Sequence, residues 1–123
     1  MLKLDHFYIK VTDLNEAIKF YQMILGKKIS HKEGNRWADF DSNDGIYLGI
    51  FNATNDNETF KADDNVTLAL KTDDIQSEFE RIKSLEPKKI TDIVYLSQPY
   101  DYYYFQFEDN WGNTWEVTQY SNN

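Results

Sequence analysis

Val11-Thr12-Asp13-Leu14 overlays Thr72-Asp73-Asp74-Ile75 at a shift of 61, since 74 minus 13 is 61. Both stretches hand an alternating, strand-like run to an Asp in the N-cap position of a helix. Outward from the first copy, residues 2–11 alternate and are rich in Phe, Tyr, Ile and Val, which predicts a strand. Asp13-Leu14-Asn15-Glu16 reads as a capping box, with Glu16 reaching back. Leu14, Ala17, Ile18, Tyr21, Ile24 and Leu25 follow at helical spacing, and Gly26 closes the helix. Strands are expected over 28–32, 36–41 and 46–51. The second copy repeats this order. A strand over 66–71 precedes a helix with Ile75, Phe79, Ile82 and Leu85 on its apolar face, ended by Pro87. Strands over 90–96, 102–107 and 114–120 complete it. Phe40 and Gly45 overlay Phe107 and Gly112 at a shift of 67, so the second copy has a loop six residues longer. Internal duplication of a strand-helix-three-strand unit predicts an α+β fold of two βαβββ modules with mixed sheets around a concave cavity. One domain is expected, with module one over about 1–51 and module two over about 65–120. The polar stretch 52–64 between them reads as a flexible linker or a lid.

Composition narrows the function. The 123 residues suit a single domain, and 16% aromatic residues can build a core and still line a pocket. A formal charge of −8 repels nucleic-acid phosphates and anionic lipid, so neither is an expected partner. The absence of cysteine excludes disulfides, thiolate ligands and cysteine nucleophiles, and fits a reducing compartment. No apolar run approaches membrane-spanning length and no signal-peptide core opens the chain, which predicts a cytoplasmic protein. No Ser-His-Asp constellation, phosphate-cradling glycine loop or Cys/His cluster is present.

The residues that open and close the chain carry a family resemblance. His6-Phe7-Tyr8-Ile9-Lys10-Val11-Thr12-Asp13-Leu14, with Phe20-Tyr21 and Leu25-Gly26, is similar to the opening of the vicinal oxygen chelate superfamily of glyoxalases, bleomycin-resistance proteins and extradiol dioxygenases. Phe107-Glu108-Asp109-Asn110-Trp111-Gly112-Asn113-Thr114-Trp115-Glu116 resembles its Phe-x-Asp-Pro-x-Gly-Asn-x-x-Glu ending, with Asn110 and Trp111 replacing the Pro and a small polar residue. The resemblance spans nearly the whole chain.

Period-two alternation then assigns the cavity face. His6, Tyr8, Trp37, Tyr47, Thr67, Tyr102, Tyr104, Gln106 and Glu116 are the expected ligand-binding residues, together with Gly49, Ala69 and Thr118 on the same faces. The opposite faces, from Phe7, Ile9 and Val11 to Trp115 and Val117, are almost purely apolar and are expected under the helices. The resemblance places the family's metal positions at His6, Gly49, Thr67 and Glu116. Only His6 and Glu116 offer good donors, and two protein ligands rarely retain a divalent ion. No resident cofactor is therefore expected; a divalent metal, if bound, would be held by His6 and Glu116. His31 is expected far from this set, and Asp39 and Asp41 are expected in solvent.

Two function classes follow from the resemblance. One is metal-independent sequestration of an aromatic or cationic compound, as in the bleomycin-resistance members, with Glu116 or Asp39 meeting the positive charge. The other is a metal-dependent lyase, isomerase or thiol transferase of the glyoxalase kind, using His6 and Glu116. A third outcome is a domain of this fold whose ligand belongs to neither class. Pairing of half-open sheets predicts a homodimer with two equivalent cavities, module one of one chain facing module two of the other being one of its arrangements.

Overall fold

A computed structural model of the chain describes residues 1–43, 45–61, 66–98 and 101–121. The chain divides into two compact units, Met1–Lys61 and Ala62–Asn123. Each has one α-helix and one mixed sheet.

In the first unit, β1 (His6–Val11) leads into α1 (Leu14–Leu25), followed by β2 (His31–Glu33), β3 (Trp37–Phe40) and β4 (Tyr47–Asn52). Asp13 caps α1 in extended conformation, its carboxylate accepting the Glu16 N–H, and Gly26 closes it at φ 66°. Leu14, Ala17, Ile18, Tyr21 and Ile24 form the buried stripe. Each large apolar side chain so buried contributes roughly 1.5–3 kcal/mol. The sheet order is β1-β4-β3-β2, with β1 parallel to β4 and the remaining pairs antiparallel. Ile9, Val11, Ala38, Phe40 and Ile50 are buried with the helix stripe. Phe7, expected in that core, is 44% exposed instead. It stands near the start of edge strand β1, whereas α1 lies mainly over β3 and β4.

The second unit repeats the plan. β5 (Leu68–Lys71) leads to α2 (Ile75–Ser84), then β6 (Lys89–Ile90), β7 (Val94–Leu96), β8 (Tyr102–Glu108) and β9 (Thr114–Tyr120). β5 runs parallel to β9, β9 pairs antiparallel with β8, and β6 and β7 both pair with β8. Asp74 caps α2 from the Ser77 N–H, with φ −145° against −143° at Asp13. Gln119 Oε1 takes a further N–H of that helix end, from Ile75 at 2.7 Å. Phe79 meets Phe105 edge-on at 5.4 Å between centroids.

The duplication extends to backbone angles and register. Gly45 and Gly112, related by the shift of 67, have φ 84° and 89°. Tyr8 faces Gly49 across β1 and β4. Their counterparts, Ala69 at a shift of 61 and Glu116 at a shift of 67, face one another across β5 and β9.

Two expectations change. The strand expected over 90–96 is two short strands, because Thr91 interrupts the ladder: its hydroxyl accepts the Gln106 N–H at 2.8 Å. The stretch expected to be a loose linker is partly built. Ala53–Asp56 forms a 3-10 turn, and Asn52, buried, donates from Nδ2 to the Asn35 carbonyl. Arg36 pairs with Asp56 and Lys10 with Glu58. Residues 62–64 of the expected linker lie outside the described residues.

Candidate functional site

The face of the first sheet opposite α1 carries a cluster of rings. β1 supplies His6 and Tyr8, β3 supplies Trp37, and β4 supplies Tyr47, Gly49 and Phe51. His6 stacks on Tyr47 with centroids 4.6 Å apart and planes 8° from parallel. Tyr8 follows at 5.9 Å from His6. Trp37 meets His6 edge-on at 6.0 Å and Tyr8 at 5.7 Å. Phe51 meets Tyr8 at 6.2 Å and carries the Arg36 guanidinium 5.5 Å above its ring. Phe51 was not among the expected residues, although it falls two positions after Gly49 on the same alternation.

Gly49 makes this packing feasible. A Cβ at that position would sit inside the Trp37 ring and 3.0 Å from the Tyr8 Cβ. The six-membered ring of the indole therefore occupies the space that a side chain would need.

Behind the rings is a carboxylate. Asp39, expected in solvent, is only 8% exposed. Two residues after Trp37, it shares that strand face, and alternation would have found it had its charge not argued for solvent. Trp37 Nε1 donates to Asp39 Oδ2 at 3.0 Å, and His31 Nδ1 donates to Oδ1 at 2.9 Å. His31, expected to be remote, thus joins the cluster through Asp39. The hydrogen bond and charge of Asp39, with a further contribution from Asp41, raise the His31 pKa above its ordinary 6.5. At the other end, His6 Nδ1 donates to Asp5 at 2.6 Å. The Tyr47 phenol is pushed above its usual 10.0, first by burial and then by the charges of Asp5 and Asp39.

The corresponding face of the second unit carries Tyr102, Tyr104 and Gln106 from β8 and Glu116 from β9. Tyr102 lies 5.8 Å from both Tyr104 and Tyr120. Gln106 Nε2 donates to Glu116 Oε1 at 3.2 Å across the strand pair. Burial, then the Glu116 charge, raises the Tyr102 pKa above 10.0. Thr67 stands exposed, one residue before β5. Thr118 is buried, its hydroxyl 3.4 Å from the Leu70 carbonyl.

The closing motif is architectural. Asp109 is fully buried, and its carboxylate accepts the N–H groups of Trp111 and Asn113 and the Asn113 side-chain amide, each at 2.9 Å. It ties the turn between β8 and β9, where Gly112 supplies the positive φ.

Comparison with known proteins agrees with this architecture. A family model described as the Glyoxalase/Bleomycin resistance protein/Dioxygenase superfamily matches residues 3–117. The chain belongs to this superfamily. A relative from Bacillus subtilis (strain 168), the uncharacterized protein YwbC, is 32% identical over 114 residues, which cover 87% of this chain and 90% of that one. Among solved structures, the fosfomycin resistance protein FosX from Listeria monocytogenes superposes with a TM-score of 0.76 at 18% identity, covering 99% of this chain and 96% of that one. A lactoylglutathione lyase from Agrobacterium tumefaciens gives 0.72 at 18% identity, covering 95% and 92%. At such identities the likeness is one of fold.

Superfamily members include metal proteins; one FosX structure is a complex with Mn(II). The four positions named by resemblance do not fit a resident divalent ion here. Gly49 has no donor atom and the Trp37 ring covers it. Thr67 offers only a hydroxyl. His6 and Glu116 are the two donors left, and two are too few. The His31, Asp39 and Asp41 ligand atoms lie within 4.8 Å of one another. Both Asp39 oxygens in that group already accept hydrogen bonds.

Proposed function

We propose that this superfamily member is a small-molecule binding protein that sequesters an aromatic or cationic compound without a resident metal. The observation that carries this reading is Gly49, where a metal donor of the family is replaced by open backbone with the Trp37 indole laid against it. A position that the resemblance assigns to coordination here serves ring packing. Tyr8 is 51% exposed on that face, so aromatic surface is offered to solvent rather than spent on the core. On the first unit, His6, Tyr8, Trp37 and Tyr47 would supply flat contact area to a ligand; on the second, Tyr102, Tyr104, Gln106, Thr67 and Glu116 would supply polar contacts.

Tryptophan fluorescence titration against cationic aromatic drugs, glutathione adducts and catechols tests this. Saturable quenching by the drugs, without turnover of any compound, is the expected result. The retained donors His6 and Glu116 favour a second reading, a metal-dependent lyase, isomerase or thiol transferase. Turnover of a glutathione adduct or catechol on addition of a divalent metal, lost in His6→Ala and Glu116→Ala, would establish it instead.

A further inference from the structure

Three neighbouring residues of the first sheet act on one ring. Gly49 leaves the space, Trp37 fills it, and Asp39 holds the indole N–H. We propose that they form a charge-selective platform: the Trp37 indole, seated on Gly49 and tied to the buried Asp39 carboxylate, selects ligands that carry positive charge on an aromatic ring. This deepens the binding reading above and rests on it.

The physical case starts with the carboxylate. A ligand cannot readily form a salt bridge with Asp39, which is 8% exposed and has both oxygens engaged. Its charge nevertheless sits 3.0 Å from the indole nitrogen. A cation over an indole face is attracted by the ring quadrupole, and Trp is the strongest such ring. A carboxylate accepting the edge N–H adds negative potential to that face, and partial burial limits its screening. Asp39 is thus a positioning residue that acts through Trp37.

The surrounding charges agree in sign. Asp5 and Asp41 add negative charge, and the upward shift of Tyr47, caused first by burial, also carries contributions from Asp5 and Asp39. The opposing groups are His31, on Asp39, and His6, on Asp5. Lys27 donates to the Asp41 carbonyl, Lys10 is drawn to Glu58, and Arg36 to Asp56.

The test uses two probes of one shape, N-methylquinolinium, a permanent cation, and 1-methylnaphthalene, its neutral counterpart. At pH 8 the protein should bind the cation about three- to tenfold more tightly, the scale of a partly desolvated cation–π contact. Asp39→Asn removes the charge while its amide oxygen can still accept the indole N–H, and should lower the ratio of affinities to the part that the ring quadrupole alone supplies. The Trp37 indole N–H resonance, assigned from its loss in Trp37→Phe, should shift in Asp39→Asn while the other amide signals hold. Trp37→Phe keeps a ring but cuts the tie to Asp39, so it should also lower the ratio, and it serves if Asp39→Asn does not fold. Equal binding of both probes by the unaltered protein, or a ratio that either substitution leaves unchanged, overturns the platform while leaving a binding protein. Failure of both probes to bind at all overturns the binding reading and the platform together.

Discussion

Asp39 shows how one buried carboxylate alters its neighbours. Because it holds His31 by hydrogen bond and charge, the folded state binds the His31 proton more tightly than the unfolded chain does. A raised pKa gives a contribution to stability that is complete below the unfolded value near 6.5 and is lost as pH rises through the folded value. Proton NMR on the two histidines should therefore place the His31 midpoint above 6.5, and Asp39→Asn should return it toward 6.5. A His31 midpoint at or below 6.5 would show that the pair does not form in solution. At this scale the ring positions His6, Tyr8, Trp37 and Tyr47 were legible, since alternation alone sorts them onto one face. Asp39 was not, because its type argues for solvent and only its partners explain its burial. Nor was the role of Gly49 as a seat for an indole, which depends on a contact between two strands. Asp109 belongs to the same class: its motif was readable, its function as the anchor of a turn was not.

Among the elements, the two helices differ in how they are held. α1 buries a stripe of Leu14, Ala17, Ile18, Tyr21 and Ile24, whereas α2 buries only Ile75 and Ile82. Ile82 therefore anchors α2, and Ile82→Ala should cost about 2–5 kcal/mol in urea unfolding, the range for emptying a core site. A loss below about 1 kcal/mol would mean that α2 docks by other means. Helix starts were legible because a cap is local chemistry: Asp13 and Asp74 each accept an N–H three residues on, from Glu16 and Ser77. Strand breaks and ordered turns were not. Thr91 splits a strand through a bond to Gln106, fifteen residues away, and the 3-10 turn after β4 is tied by the Asp56–Arg36 ion pair, with Glu58 beyond it paired to Lys10. Polar composition signals a loop but carries no record of distant partners.

For the whole molecule, duplication was the most legible property, since it repeats caps, turns and register together. Edge strand β1 presents the exposed Phe7 and Tyr8, and Leu4 before it is also exposed. Sheet edges with apolar neighbours favour pairing, so a homodimer is expected. Light scattering at micromolar concentration should give about twice 14.6 kDa; a monomer would refute it. Binding chemistry is the larger claim. The donor count argues against a resident ion, and the rings argue for direct contact with a flat ligand. Trp37→Ala should accordingly weaken binding of an aromatic cation by about 1–3 kcal/mol in fluorescence titration, the loss typical of an aromatic anchor. An unaltered affinity would place the ligand elsewhere. The most direct test is the N-methylquinolinium binding isotherm recorded by tryptophan fluorescence before and after exhaustive dialysis against EDTA. The account predicts saturable quenching with the same dissociation constant in both. Binding that disappears on dialysis and returns with added Mn, Zn or Ni would contradict it.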